Sequence, residues 1–331
     1  MSVASYFSAE SKWLGINSRH GRQPSMSNAR VCVILLNYNR GNDTTECIDS
    51  FFHCTYPHFH ILVVDNASTD DSVAVLKRRI PGLEIVQTGQ NLGYTGGINF
   101  GIRCARQTSP EYILILNNDT LVTPDFLHRL IEAMEQNPAA VAAGGTIYCE
   151  HERKKIWYGG GRLVPWRGLA VHEKRDKFVE PAALNGVREV SFITGCMILF
   201  RASMLDAIGG EDERFFMYLD DIELSARILA RGHDLLYVPK AIIYHKVLGE
   251  KDNTFKLYYG VRNRLLLIKI AFRGVAKLIA RVYFLFVITI KLLIWRFTNP
   301  PFFKAASYGL QDFFKGKFYA GRGVSEFGSK V

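Results

Sequence analysis

Two acidic clusters, about a hundred residues apart, carry the chemistry that is legible in this chain. Asn117-Asn118-Asp119 follows the apolar run Tyr112-Ile113-Leu114-Ile115-Leu116. Asp220-Asp221 lies inside Phe215-Phe216-Met217-Tyr218-Leu219-Asp220-Asp221-Ile222-Glu223-Leu224. A carboxylate at the mouth of a buried strand can hold a divalent metal against a diphosphate, and a second, separate carboxylate can remove a proton from a hydroxyl. That pairing suits transfer of a group from a nucleotide diphosphate to an alcohol. The bland alternative for Asp220-Asp221 is a solvated helix start.

These clusters must be positioned by the elements around them. Val31-Cys32-Val33-Ile34-Leu35-Leu36 is a continuous apolar run ending in Asn37-Tyr38-Asn39-Arg40, and Ile61-Leu62-Val63-Val64 ends in Asp65-Asn66. Both read as buried parallel strands. Helix-compatible stretches at 43–54 and 72–79, a short strand at 84–86 and a helix opening at Asn91-Leu92-Gly93 lead to the fourth strand, 112–116. Four strand-then-helix units with polar residues just past each strand predict a doubly wound α/β sheet. Ligands in such sheets sit at the carboxyl ends of the strands, so Asn37, Asp65, Asn91 and Asp119 are expected to converge on one crevice. A helix over 124–137 and strands over 141–147, 190–200 and 235–244 are expected, with a helix from about Asp220 to Arg231. Residues 150–189, charged and Gly-rich with Trp157 and Trp166, read as an irregular loop that shapes an acceptor pocket.

At 331 residues with 48% hydrophobic and 22% charged residues, the chain has ample material for a core. Its net charge of +10 is unevenly placed. From Lys246 to Val331 there are sixteen Lys and Arg against four Asp and Glu, so the rest of the chain is close to neutral. Lys269, Arg273, Lys277 and Arg281 recur every four residues, forming a cationic stripe on one helical face. The apolar stretch 282–297 is shorter than the roughly 20 residues of a spanning helix and contains Lys291, so an interfacial helix fits better than a full span. A basic, apolar tail calls for an anionic membrane surface; packing on the body is the alternative. Nucleic acid is disfavoured, because the tail is too apolar and carries no recognised binding motif. The six cysteines show no C-x-x-C pair and no zinc-like spacing, as in a reducing compartment. Residues 1–29 lack an apolar stretch of signal-peptide length and read as a disordered arm.

Five motifs occur in order: Val33-Ile-Leu-Leu-Asn-Tyr-Asn-Arg40, Val63-Val-Asp-Asn-Ala-Ser-Thr-Asp70, Asn91-Leu-Gly-Tyr-Thr-Gly-Gly-Ile-Asn99, Leu116-Asn-Asn-Asp-Thr120 and Phe215-Phe-Met-Tyr-Leu-Asp-Asp221. Together they resemble the inverting family 2 glycosyltransferases of the GT-A fold, and in particular their bacterial rhamnosyltransferase-like branch. The likeness covers about residues 30–265 and includes Tyr258-Tyr259-Gly260-Val261-Arg262-Asn263. It implies a catalytic domain over 30–256, with a donor half at 30–147 and an acceptor half at 148–256, followed by a basic amphipathic helical membrane-associating tail at 257–331. It also implies roles by position. Asn37, Asn39, Asp65 and Asn66 would hold the donor base and ribose, while Asn91, Gly93 and Asn118 would line its diphosphate side. Asp119 would bind Mg²⁺ or Mn²⁺ with His245 as a further ligand, Asp221 would be the general base, and Asp220 would orient the acceptor or support the base.

Two departures matter. Asn117 stands where many relatives have the first Asp of Asp-x-Asp, so the metal is expected to be weakly held without donor. Asp220 stands where a Glu is usual. The implied reaction moves a sugar, rhamnose from dTDP-rhamnose as the preferred donor, with UDP- and GDP-sugars open. The acceptor would be a lipid-linked saccharide of surface polysaccharide or O-antigen synthesis at the cytoplasmic face of a bacterial inner membrane, with the protein peripheral or monotopic there. A dinucleotide oxidoreductase would need G-x-G-x-x-G after the first strand, and Asn37-Tyr38-Asn39-Arg40 stands there instead. A nucleotidyltransferase, or a membrane scaffold retaining a dead transferase fold, are the other rivals.

Overall fold

The structure, a computed structural model, describes residues 27–247 and 253–321. The arm expected at the N-terminus lies outside them, apart from its last residues. The chain opens with β1 (Val31–Asn37), α1 (Gly41–Phe51), β2 (Phe59–Asp65), α2 (Ser72–Arg79), β3 (Glu84–Gln87), α3 (Gly93–Ala105) and β4 (Tyr112–Asn117). Strands β3, β2, β1 and β4 lie side by side and parallel, with Asn37 level with Asp65 across the β1–β2 pair. Val31 to Leu35 and Ile113 to Leu116 are fully buried, because helices cover both faces of a parallel sheet.

Next come β5 (Thr120–Val122), α4 (Phe126–Gln136), β6 (Ala140–Cys149), β7 (Glu152–Tyr158), β8 (Gly161–Val164) and β9 (Leu169–His172). They are followed by β10 (Arg188–Val190), β11 (Met197–Arg201), α5 (Ala202–Ile208), α6 (Asp220–Ala230) and β12 (Asp234–His245). The ten-stranded sheet runs β10-β12-β6-β11-β4-β1-β2-β3, with β5 on β12 and β7 on β6. Strand β11 is antiparallel to β4, so the sheet is mixed beyond the parallel donor half.

Three expectations change. Of residues 150–189, only 173–187 are irregular: β7 pairs antiparallel with β6, and β8 and β9 form a hairpin. The charges of Arg153, Lys154 and Lys155 obscure the strand pattern because one face of β7 is solvated at the sheet margin. The single strand expected over 190–200 is interrupted, since residues 191–196 leave the ladder between β10 and β11. That excursion carries Gly195 to the acidic loop.

The third concerns the tail, α7 (Thr254–Ala271), α8 (Gly274–Thr298) and α9 (Pro300–Phe314). Helix α8 has 25 residues, starting well before the stretch at 282, with a mean hydropathy of 2.1 over its most apolar window. Among the described residues it is the one helix long and apolar enough to cross a membrane. The length argument against a span therefore falls: Lys277 and Arg281 lie within the helix and do not end it. Ala280, Phe284 and Ile288 are buried on the body, one stripe at a spacing of four. Leu278, Val282, Phe286, Leu293 and Phe297 are exposed. The six cysteines are free thiols.

Candidate active site

Sheet register creates the first half of the site. Strand β4 ends at Asn117, and Asn118-Asp119 turn into β5, whose Thr120 pairs with His245 at the end of β12. The backbone N–H of Lys246 donates to the Asp119 carbonyl at 2.9 Å. The His245 ring thereby stands beside the Asp119 carboxylate, Nε2 to Oδ1 at 3.1 Å. This is a close contact without hydrogen-bond geometry, so Asp119 Oδ1 is left without a hydrogen bond, as are the buried His245 Nδ1 and Trp157 Nε1. The Trp157 ring meets His245 edge-on at 4.8 Å. Buried polar atoms are normally satisfied, so three unsatisfied ones within one small cluster set this turn apart from the rest of the sheet.

A hydrogen-bonded chain links this turn to the first strand. Asn118 Nδ2 donates to Thr44 Oγ1, and Thr44 donates to Asn37 Oδ1, both at 2.8 Å. Asn37 Nδ2 donates to Asp65 Oδ1 at 2.9 Å, and Ser68 N–H donates to Asp65 Oδ2. Asp65 and Asn66 are buried beneath the crevice. Asn66 Nδ2 donates to Asn91 Oδ1 and to the Gly93 carbonyl, while its Oδ1 accepts from Leu92 N–H. Asn39, with φ 54°, accepts from Thr69 N–H at 2.7 Å and ties the loops after β1 and β2 together. Asn can adopt this left-handed conformation at little cost. Asn37, Asp65 and Asn66 thus spend their hydrogen bonds on neighbouring loops, whereas Asn39 and Asn91 are exposed at the rim.

The second half is the start of α6. Gly195 N–H donates to Asp221 Oδ2 at 3.0 Å, and Ile222 N–H donates to Oδ1. One residue along, the Cys196 carbonyl accepts from Asn117 N–H at 3.0 Å. The segment Thr194–Cys196 therefore touches both acidic clusters, and the Cys196 thiol feels the charges of both Asp119 and Asp221. Tyr94 Oη donates to the Gly195 carbonyl at 2.8 Å, closing the side toward α3. Burial raises Asp221 to about 6, opposed by the hydrogen bonds from Gly195 and Ile222. Asp220, 4% exposed, is pushed to about 8 by burial and then by the Asp221 charge. Glu211 is buried behind them with Oε2 unpartnered, and burial raises it strongly too. Burial and mutual repulsion thus raise both carboxyls, Asp220 the more, so the pair holds a proton to higher pH than two free carboxylates would.

A stability consequence follows. The folded state keeps the Asp220 proton that the unfolded chain has already released, so stability is lost as pH rises from about 4 to about 8. Asp220→Asn has no such proton to lose. Its melting temperature is expected to exceed that of the wild type by roughly 2–4 °C at pH 8 and to converge on it toward pH 4. Scanning calorimetry across that range checks this; a variant less stable at pH 8 contradicts the assignment.

The loop before Asp220 is held from outside. Phe216, Tyr218 and Leu219 have φ of 65°, 67° and 66°, a region that costs bulky residues about 1–3 kcal/mol each. Gly93, itself at φ 72°, is needed there because a Cβ would overlap the Phe216 ring and carbonyl. Asn263 Nδ2 donates to the carbonyls of Phe215, Met217 and Tyr218 at 2.9, 2.7 and 3.0 Å. Arg262, fully buried, donates to the carbonyls of Arg214, Phe215 and Tyr319, and its Nε donates to Asn263 Oδ1. Sequence reasoning assigned no role to Arg262, Asn263, Tyr94, Gly195 or Glu211. The signal for the first two was present: the polar run Arg262-Asn263-Arg264 interrupts the largely apolar middle of α7.

The model of the glycosyl transferase family 2 matches residues 32–209. The chain is 28% identical over 235 residues to an N-acetylglucosaminyl-diphospho-decaprenol L-rhamnosyltransferase of Mycobacterium tuberculosis, covering 65% of this chain and 75% of that protein. It is 22% identical to a poly-beta-1,6-N-acetyl-D-glucosamine synthase of Staphylococcus epidermidis, over 65% of this chain and 49% of that one. In fold it resembles the mannosyltransferase PcManGT from Pyrobaculum calidifontis, solved with GDP-Man and Mn²⁺. The TM-score is 0.53 at 18% identity, over 95% of this chain and 82% of that one. The GT-A expectation is met, and with more than half of its length inside the family's boundaries the chain belongs to glycosyl transferase family 2.

Proposed function

We propose that this glycosyltransferase moves a sugar, rhamnose from dTDP-rhamnose as the preferred donor, to a hydroxyl of a lipid-linked saccharide with inversion at the anomeric carbon. One observation carries the reading: the turn Thr194–Cys196 hydrogen-bonds the Asp221 carboxylate on one side and the strand end that bears Asp119 on the other. A group that leaves at Asp119 and a hydroxyl that arrives at Asp221 can then meet across three residues. The preferred sugar and acceptor rest on the likeness to the mycobacterial rhamnosyltransferase.

In this reading the donor lies across the ends of β1, β2 and β4. Asn39 and Asn91 face it directly, while Asn37, Asp65, Asn66 and Asn118 act by fixing the loops it rests on. Gly93 lets backbone approach the diphosphate. Among the described residues no three metal-ligating side chains cluster, but Asp119 and His245 fit a hard cation that takes its remaining oxygens from the donor. Bound there, Mg²⁺ or Mn²⁺ would neutralise the charge of the departing nucleotide diphosphate. Asp221 accepts the acceptor hydroxyl's proton as that oxygen forms the new glycosidic bond and the bond to the diphosphate breaks. Asp220, the more raised of the two, keeps a second negative charge away from the base.

The donor half, 30–147, and the acceptor half, 148–256, divide the work at the end of β6. The tail, 257–331, would rest the enzyme on an anionic membrane through the exposed face of α8, at the cytoplasmic leaflet where surface polysaccharide or O-antigen precursors are built.

The test is a panel of dTDP-, UDP- and GDP-sugars with Mn²⁺, read by thermal shift and turnover. Stabilisation by dTDP-rhamnose that needs Mn²⁺ and is lost in Asp119→Ala is expected. A protein that no nucleotide sugar stabilises or turns over would refute the reading.

A further inference from the structure

The tip of the β8–β9 hairpin, Pro165–Arg167, wedges between α7 and α8. Gly168, at φ 63°, allows the approach: a Cβ there would collide with Ile268. The Trp166 ring packs against Tyr283 at 5.5 Å. Arg264 lies over the Phe284 ring at 4.6 Å and donates from Nη2 to the Arg167 carbonyl at 2.7 Å. The seam thus holds two guanidinium groups, on one turn and one helix.

Neither has a counter-charge. Among the described residues no carboxylate pairs with Arg167 or Arg264, and the Nε of each is buried without a hydrogen-bond partner. Burial is the main cause holding Arg264 down at about 10, and the Arg167 charge adds to it. Two half-buried like charges with idle donors are costly unless an anion joins them. The anion's environment is set by α8. Trp166 is half-exposed at the seam, and Leu278, Ile279, Val282 and Phe286 continue from it as a solvent-facing apolar strip. A ligand that suits both has a phosphate head and a long apolar chain. At its base the same hairpin leads back toward the site: the Gly161 carbonyl accepts from Ser191 N–H, four residues before Gly195 meets Asp221.

We propose that Arg167 and Arg264 form a binding site for the phosphate groups of the lipid-linked acceptor, holding its diphosphate while the lipid lies along α8. This rests on the transferase reading above and names how the acceptor is held. No role in proton transfer is involved.

Arg167→Gln, Arg264→Gln and the double variant of the full chain test it by steady-state kinetics. The acceptors are a prenyl-diphosphate-linked saccharide and the same saccharide on a neutral alkyl group. Each single variant is expected to raise KM for the diphosphate acceptor by about tenfold, the scale of one charge-assisted hydrogen bond. KM for the donor, donor hydrolysis and transfer to the neutral acceptor should not change. Inorganic pyrophosphate should compete with the acceptor in the wild type and not in the double variant. Arg167→Gln, at the hairpin tip, suffices if Arg264→Gln fails to fold.

Unchanged KM for the diphosphate acceptor would overturn the proposal, as would an equal loss with the neutral acceptor. So would variants that release phosphatidylglycerol vesicles yet use a short-chain soluble diphosphate acceptor normally, which would assign the pair to bilayer headgroups. A wild type with no transfer to any acceptor sinks the transferase reading instead. The arginine pair is then still read by the thermal shift that pyrophosphate produces in the wild type and not in the double variant.

Discussion

Asp221→Asn is expected to lower kcat by about 10²–10⁴, the usual contribution of a positioned general base. Donor affinity should change little, because the side chain faces the acceptor side and its amide can still accept from Gly195 N–H. The pH profile provides the sharper measurement. The base must be ionised to work, so the wild-type rate should rise with pH through about 6, the value to which burial lifts Asp221. That limb should vanish in the variant. An Asp221→Asn enzyme with wild-type kcat, or one that retains the limb, would remove Asp221 from the reaction.

Asn263→Leu, close in volume, should cost about 10² in kcat without touching any reacting group. Its amide is the common anchor of three carbonyls in a loop whose Phe216, Tyr218 and Leu219 are held in left-handed backbone. Without that anchor the carbonyls lose their donor and the loop can relax, moving the first turn of α6. A misplacement of about 1 Å at a reacting group is enough for such a loss. The loop also abuts Gly93, so KM for the donor should rise as well. Circular dichroism establishes that the variant is folded, and steady-state kinetics provides the readout. A folded variant within twofold of wild-type kcat would reduce Asn263 to a packing residue.

The clamp ties the tail to the chemistry. Arg262 and Asn263 sit on α7, whose packing partner α9 belongs to the same tail. Tyr258 Oη donates to Asp312 of α9 at 2.8 Å, about one turn from Arg262 and Asn263. The tail therefore also supports the loop that carries Asp220 and Asp221.

Much of the fold was readable from neighbouring residues. Buried parallel strands are apolar without interruption and end in polar residues, so β1, β2 and β4 and the crevice residues Asn37, Asp65 and Asp119 stood out as a pattern. Charged edge strands lack that pattern, and β7 was hidden for this reason. The interrupted strand was hidden for another: Ser191 to Cys196 has strand-like composition, and only contact with α6 pulls it out of the ladder.

What the amino-acid order determined by itself was local: which segments are strands or helices, and which carboxylates end them. Which side chains meet was decided only in three dimensions. His245 reaches Asp119 through the β5–β12 register, Gly195 reaches Asp221 through a break in the sheet, and Arg262 reaches the acidic loop because α7 docks there. Docking on the body decided that Ala280, Phe284 and Ile288 form the buried stripe of α8. Local pattern is set by interactions within a few residues, whereas register and docking are set by the packing of the whole sheet.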